Sequence, residues 1–343
     1  MDNVNSRLNR QENYKVLFLG NGILRAWGEN AKSGQDLEDM ICGAAGSKIR
    51  IKGNTIPFPM RVAASLANSK NREQRLEDAV RKLIDNGKLS KNNQICNSGV
   101  AENPLFRLLL EAGFTDIITT NYGYEIEKVL CGKSPVSATE GSRFFKSCLS
   151  SEGFQITERK FKVYKYCPCP AGRGMVRVWH VHGEYLKPQS IIFDYADYCS
   201  LVSRINARPK LKPVENLTRG TAAVDMPKPV NWMDSFIWGD VYVLGFGASW
   251  GEQDFWRLME RRRNKKHTGT LYFYEPTFNG SADEQFKKDI VEMIGAFGGE
   301  HRSMGINIAH PEKEKSKFQE FYKKAINEIV GAVNGTIDLC ERN

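Results

Sequence analysis

Apolar residues fall in short blocks separated by polar, glycine-bearing stretches. Lys15–Leu19 (KVLFL) is a compact apolar run that breaks at Gly20-Asn21-Gly22, the pattern of a buried strand entering a tight turn. From about Gln35 to Ala112 the period lengthens. Leu76, Ala79, Val80, Leu83 and Ile84 recur at helical spacing, and Leu105, Leu108, Leu109 and Leu110 mark another helix. Phe114–Thr119 returns to strand character, and residues 132–174 read as irregular. Val176–His182 and Ser190–Phe193 read as strands, Asp194–Ile205 as a helix, and 207–232 as a long loop insertion. Asp240–Leu244 (DVYVL) is a nearly continuous apolar strand of the kind covered on both faces. Glycine turn 245–249, amphipathic helix Glu252–Arg263 and strand Thr268–Tyr274 complete a βαβ unit. Helices near 282–296 and 312–332 flank a last short strand, Gly305–Ala309. Strands alternating with helices predict an open α/β sheet with a helical insertion at about 35–112. In such sheets the ligand crevice lies beyond the carboxyl ends of the strands.

Composition narrows the class. The 343 residues are 41% hydrophobic and 26% charged, which excludes a mainly disordered or collagen-like chain. Residues 1–14 read as a polar tail without a signal peptide's apolar core, and residues 15–343 as one domain. No apolar run approaches the roughly 18 residues of a membrane span, so no membrane association is expected. The eight cysteines are irregularly spaced, which predicts reduced thiols and a cytoplasmic location. Cys167-Pro-Cys169-Pro is a tight pair without two further zinc ligands nearby, so no metal site is expected. A net charge of +9 permits an acidic ligand or nucleic acid without requiring either. The basic run Arg257–Lys266 reads as the solvated C-terminal end of a helix.

Four constellations carry candidate chemistry. Gly20-Asn21-Gly22 after a strand would let the backbone approach a phosphate, or is simply a tight turn; Arg25 stands where a dinucleotide fingerprint has its third glycine. Thr119-Thr120-Asn121-Tyr122 follows a strand and either faces the crevice or caps a helix. In Trp179–Gly183 (WHVHG), His180 and His182 alternate and so are expected on one face. His182, before a glycine at a strand end, suits a general base, although a structural histidine is the plainer reading. Gly245–Gly251 (GFGASWG) ends in G-x-S-x-G, which makes Ser249 a candidate hydrolase nucleophile, with Asp283 or Asp289 and His301 or His310 following in hydrolase order. The alternative is a second glycine loop over the same nucleotide.

The order of these motifs resembles the sirtuin-like NAD hydrolases of bacterial anti-phage defence. The segments are KVLFLGNG, FTDIITTNY, WHVHGEYLKPQSIIFDYADY and VYVLGFGASWGEQDFWRLM, spanning about Lys15 to Tyr274. The third is the most specific, with His182-Gly183, Pro188, Ser190-Ile191 and Tyr198 at family spacing. The resemblance implies a Rossmann-like, doubly wound, mostly parallel sheet. It implies Asn121 and His182 as catalytic residues. It places Gly20, Asn21, Gly22, Thr120, Tyr122, Gly245, Gly247 and Ser249 around the nucleotide. Leu24 and Gly123 depart from the family, which often has Ser and Asp there, and the zinc module of deacylating sirtuins is absent. The implied reaction is hydrolysis of NAD to nicotinamide and ADP-ribose, with NAD as substrate and no resident cofactor. It would be gated by oligomerisation or by a partner such as a HerA-type ATPase or a short Argonaute protein. Direct nucleic-acid binding stays open. A catalytically inactive NAD- or partner-binding module and a Ser249 hydrolase are the rival readings.

Overall fold

The structure, a computed structural model, describes residues 14–28, 56–67, 98–131, 164–168, 175–184, 190–207, 214–218, 221–225, 231–265, 268–337 and 339. The polar tail to residue 13, the Leu76–Ile84 helix and Cys169 lie outside the described residues.

One seven-stranded sheet organises the chain. Its strands are β1 (Lys15–Leu19), β2 (Asp116–Thr119), β3 (Tyr164–Pro168), β4 (Met175–His180), β7 (Asp240–Leu244), β8 (Leu271–Tyr274) and β9 (Gly299–Arg302). The spatial order is β3-β4-β2-β1-β7-β8-β9. Only β3 runs antiparallel to its neighbour; the other six strands are parallel. Counted along the chain, the parallel strands read 3-2-1-4-5-6, the doubly wound Rossmann order. The winding reverses between β1 and β7, which makes that junction the switch point.

The central strands are apolar on both faces because helices cover both. Leu17, Leu19, Tyr242 and Leu244 pack with α1 (Gly22–Trp27), α3 (Ser98–Ala101), α4 (Pro104–Leu110), α5 (Glu125–Cys131) and α10 (Lys315–Val333). Val16, Phe18, Val241 and Val243 pack with α6 (Tyr195–Ala207), α7 (Trp232–Trp238), α8 (Gln253–Arg263) and α9 (Glu284–Ala296). Within the predicted helical insertion the described part holds α2 (Phe58–Leu66), α3 and α4.

Several local expectations are corrected. Ser190–Phe193 is not a strand but a buried connection, whose Ile192 N–H donates to the His182 carbonyl at 3.0 Å. A short apolar run has no period that separates the two. The last strand is Gly299–Arg302, polar and half-buried at the sheet edge, whereas Gly305–Ala309 contributes one isolated bridge, Thr277 to Asn307. The 132–174 stretch contains β3, whose Pro168 fits an edge strand. The 207–232 insertion contains a hairpin, β5 (Val214–Thr218) and β6 (Thr221–Asp225), and the start of α7. The basic run is not simply solvated. Arg262 is 4% exposed and donates to the carbonyls of Phe236, at 2.5 Å, and Ile237, at 3.2 Å, closing the end of α7. Burial pushes its guanidinium pKa down to about 10.

Candidate active site

The two glycine turns meet at the switch point. Gly20 N–H donates to Leu244 O at 3.0 Å, and Gly22 N–H to Gly245 O at 2.7 Å. A β-carbon at Gly20 would land on the Gly245 carbonyl, so glycine is required by close approach. Asn21 precedes α1 without a side-chain capping bond. Gly247 is exposed, beside the Lys287 ammonium, which pairs with the buried Glu275 just past β8.

At the end of β2, Thr120 N–H donates to Leu19 O at 3.2 Å. Asn121 N–H donates to Thr119 Oγ1 at 3.0 Å, and Asn121 Nδ2 donates to Gly20 O at 3.1 Å. The TTNY segment therefore does not cap a helix: α5 begins only at Glu125, and Asn121 ties the end of β2 to the first glycine turn. Tyr122 packs its ring 5.6 Å from that of Phe193.

The two histidines do not share a face, contrary to the alternation argument. β4 ends at His180, and the chain turns through Val181 and His182 into Gly183, whose φ of 92° is left-handed. His180 points to the α5 layer, where Glu127 meets it at 2.8 Å. His182 points to the α6/α8 layer. Its Nε2 lies 3.0 Å from Asp254 Oδ2 and 3.9 Å from Glu252 Oε2. The Tyr198 ring stands edge-on at 5.4 Å, and its hydroxyl donates to Glu252 Oε2 at 3.1 Å. His182 is 3% exposed, so these charges act through a poorly screening medium. Burial disfavours the imidazolium, but the Asp254 carboxylate, its hydrogen bond and Glu252 together hold the pKa above 6.5. Burial raises Glu252 above the usual carboxylate range, and burial beside two carboxylates raises Tyr198 well above 10.

The sequence pattern assigns no chemical role to Asp254, Glu252 or Tyr198. Asp254 sits in the first turn of α8, where an acid is expected for the helix dipole alone, so the sequence hid its second partner. His182, Glu252 and Asp254 each offer a ligand atom, all within 4.8 Å of one another. This is the one group among the described residues with the composition of a cation site. His182 Nε2 lies at hydrogen-bond distance from Asp254, so a hydrogen on Nε2 donated to the carboxylate fills the gap that an ion would need. Treatment with EDTA is accordingly expected to leave turnover within about twofold of the untreated chain; loss of activity restored by a divalent cation would assign the group to metal instead.

Ser249 does not assemble a triad. Its carbonyl accepts from Trp256 Nε1 at 3.1 Å and from Glu252 N–H at 3.0 Å, and among the described residues no histidine bonds its hydroxyl. His301 bonds the Glu275 carbonyl at 2.8 Å, and His310 lies exposed near Glu314. No helix among the described residues is long and apolar enough to cross a membrane. No family model and no curated protein matches the chain.

Proposed function

We propose that this chain cleaves NAD at the nicotinamide–ribose bond, releasing nicotinamide and ADP-ribose. The observation that carries the reading is the buried His182–Asp254 pair near the carboxyl end of β4, in the same sheet edge as the laced glycine turns. Asn121, hydrogen-bonded to Gly20 and met at its carbonyl by His180, ties the ends of β2 and β4 to the first glycine turn. The glycine turns take the pyrophosphate. Bond cleavage passes through an oxocarbenium-like state, as in glycoside hydrolysis. Nicotinamide leaves as a neutral molecule and needs no acid.

What the reaction needs is a positioned hydroxyl or water and a base. Asp254 accepts from His182 Nε2, which leaves Nδ1 as the proton acceptor. Because bulk water barely reaches His182, the proton comes from a group the substrate brings in, a ribose hydroxyl or a water held on Asn121. Unrestrained NAD hydrolysis would kill its host. The activity is therefore gated, by self-association or by a partner of the HerA-type ATPase or short Argonaute kind, in an NAD-depleting anti-phage effector of the cytoplasm.

The pH profile tests the base. Only neutral imidazole accepts a proton, and the His182 pKa is raised above 6.5. kcat/KM for NAD should thus climb with pH through that raised pKa and level off above it. In Asp254→Asn the carboxylate's two contributions vanish while burial stays, so the inflection should move to lower pH. A rate that falls between about pH 6 and 8 in the wild-type chain would remove His182 from the base role.

A further inference from the structure

His180 is fully enclosed, and both of its ring nitrogens meet oxygens that accept. Nδ1 lies 2.9 Å from the backbone oxygen of Asn121, and Nε2 lies 2.8 Å from Glu127 Oε1. A carbonyl oxygen cannot donate, so the hydrogen of the first contact must sit on Nδ1. The second contact then holds one more proton, on Nε2 with Glu127 ionised or on Glu127 with the imidazole neutral. Either way the Asn121 carbonyl keeps a hydrogen on Nδ1, and Glu127 holds the far side of the ring at Nε2. Glu127 has no exposure, and its Oε2 has no hydrogen-bond partner among the described residues. A carboxyl group so placed is costly unless its other oxygen is firmly engaged. For core packing alone, an apolar side chain would serve better.

The recipient of this bond is the residue that matters. Asn121 is held at three points: its N–H on Thr119 Oγ1, its Nδ2 on Gly20 O, and its carbonyl by His180. Its Oδ1 makes no hydrogen bond to any described residue and is left for a ligand. Gly123, two residues on, brings no side chain of its own to stiffen this turn.

We propose that His180 is a positioning residue. Held at Nε2 by Glu127 and donating from Nδ1 to the Asn121 carbonyl, it fixes the peptide that carries Asn121 and so sets where Asn121 Oδ1 meets the substrate. The kinetic consequence rests on the NAD-cleaving reading; the hydrogen-bond assignment does not.

Three variants separate positioning from packing. His180→Leu fills the space without a donor. His180→Asn places an amide nitrogen the same number of bonds from Cα as Nδ1. Glu127→Gln leaves a neutral imidazole that keeps Nδ1–H and accepts the amide hydrogen at Nε2. We expect His180→Leu to lower kcat about 10- to 100-fold, with KM for NAD changed less than about threefold. His180→Asn and Glu127→Gln should return kcat to within about fivefold of wild type. Equal losses in His180→Leu and His180→Asn, or no loss in His180→Leu, would overturn the proposal.

A second readout needs no turnover. In the ¹⁵N spectrum of histidine-labelled protein, the signals lost in His180→Asn should belong to a ring protonated at Nδ1, in wild type and in Glu127→Gln alike. The Asn121 side-chain amide signals should shift in His180→Leu and hold in His180→Asn. A His180 ring unprotonated at Nδ1, or an Asn121 amide indifferent to His180→Leu, would overturn the proposal even if the chain cleaves NAD. Silence in the kinetic arm alone would count against the NAD reading.

Discussion

Replacing His182 with alanine is expected to lower nicotinamide release from NAD by about 10²- to 10⁴-fold, the range a positioned general base contributes. The loss should fall on kcat, because the glycine turns proposed to take the pyrophosphate follow β1 and β7, meet through backbone hydrogen bonds and do not involve this side chain. Alanine also removes the hydrogen-bond partner of Asp254 Oδ2, while Oδ1 has no hydrogen bond among the described residues. A buried carboxylate would be left bare, so His182→Ala should also lose stability. Asp254→Asn added to His182→Ala should recover part of that stability and none of the activity. This pattern separates catalysis from folding. A His182→Ala chain that keeps more than about a tenth of wild-type kcat would remove the histidine from the chemistry.

The second large effect lies at the opposite edge of the sheet, where β2 begins. Asp116 opens β2, is completely buried, and accepts three hydrogen bonds: from Arg177 at 2.6 Å, from Trp179 Nε1 at 2.7 Å and from Ser235 Oγ at 3.0 Å. It binds β2 to β4 and both to α7. Asp116→Ala removes a carboxylate paired with a largely buried guanidinium and the acceptor of the Trp179 indole N–H. Breaking such a group from one side costs about 3–5 kcal/mol. Urea unfolding should show that loss as a lower midpoint. Nicotinamide release per folded molecule should change little, because the site is at the other edge of the sheet. A loss below about 1 kcal/mol would mean that the network contributes only what an exposed ion pair does.

The parts of this fold that rest on apolar blocks could be read from the sequence. KVLFL and DVYVL each carry enough apolar surface for two covered faces, and the glycines after them announce the turns that meet at the switch point. The parts that failed depend on tertiary context. The edge strand GEHR is as polar as a loop, and β3 ends in a proline that an edge strand tolerates. SIIF is apolar because it is buried, not because it is a strand.

Within the site, Asn121 and His182 stood out because each follows a strand. Their supports did not. In the sequence Asp254 reads as a helix-start acid, Glu127 as any acid in the first turn of α5, and His180 as a neighbour on the face of His182. The alternation rule failed for the pair because β4 stops at His180, and the left-handed Gly183 helps carry His182 to the other layer.

The most direct measurement is chromatography of NAD incubated with the purified chain at a concentration high enough to drive self-association. Nicotinamide and ADP-ribose are expected in equal amounts, and neither product from Asn121→Ala. NAD recovered intact and unbound would contradict the account. NAD bound but intact would keep the site and overturn the hydrolysis.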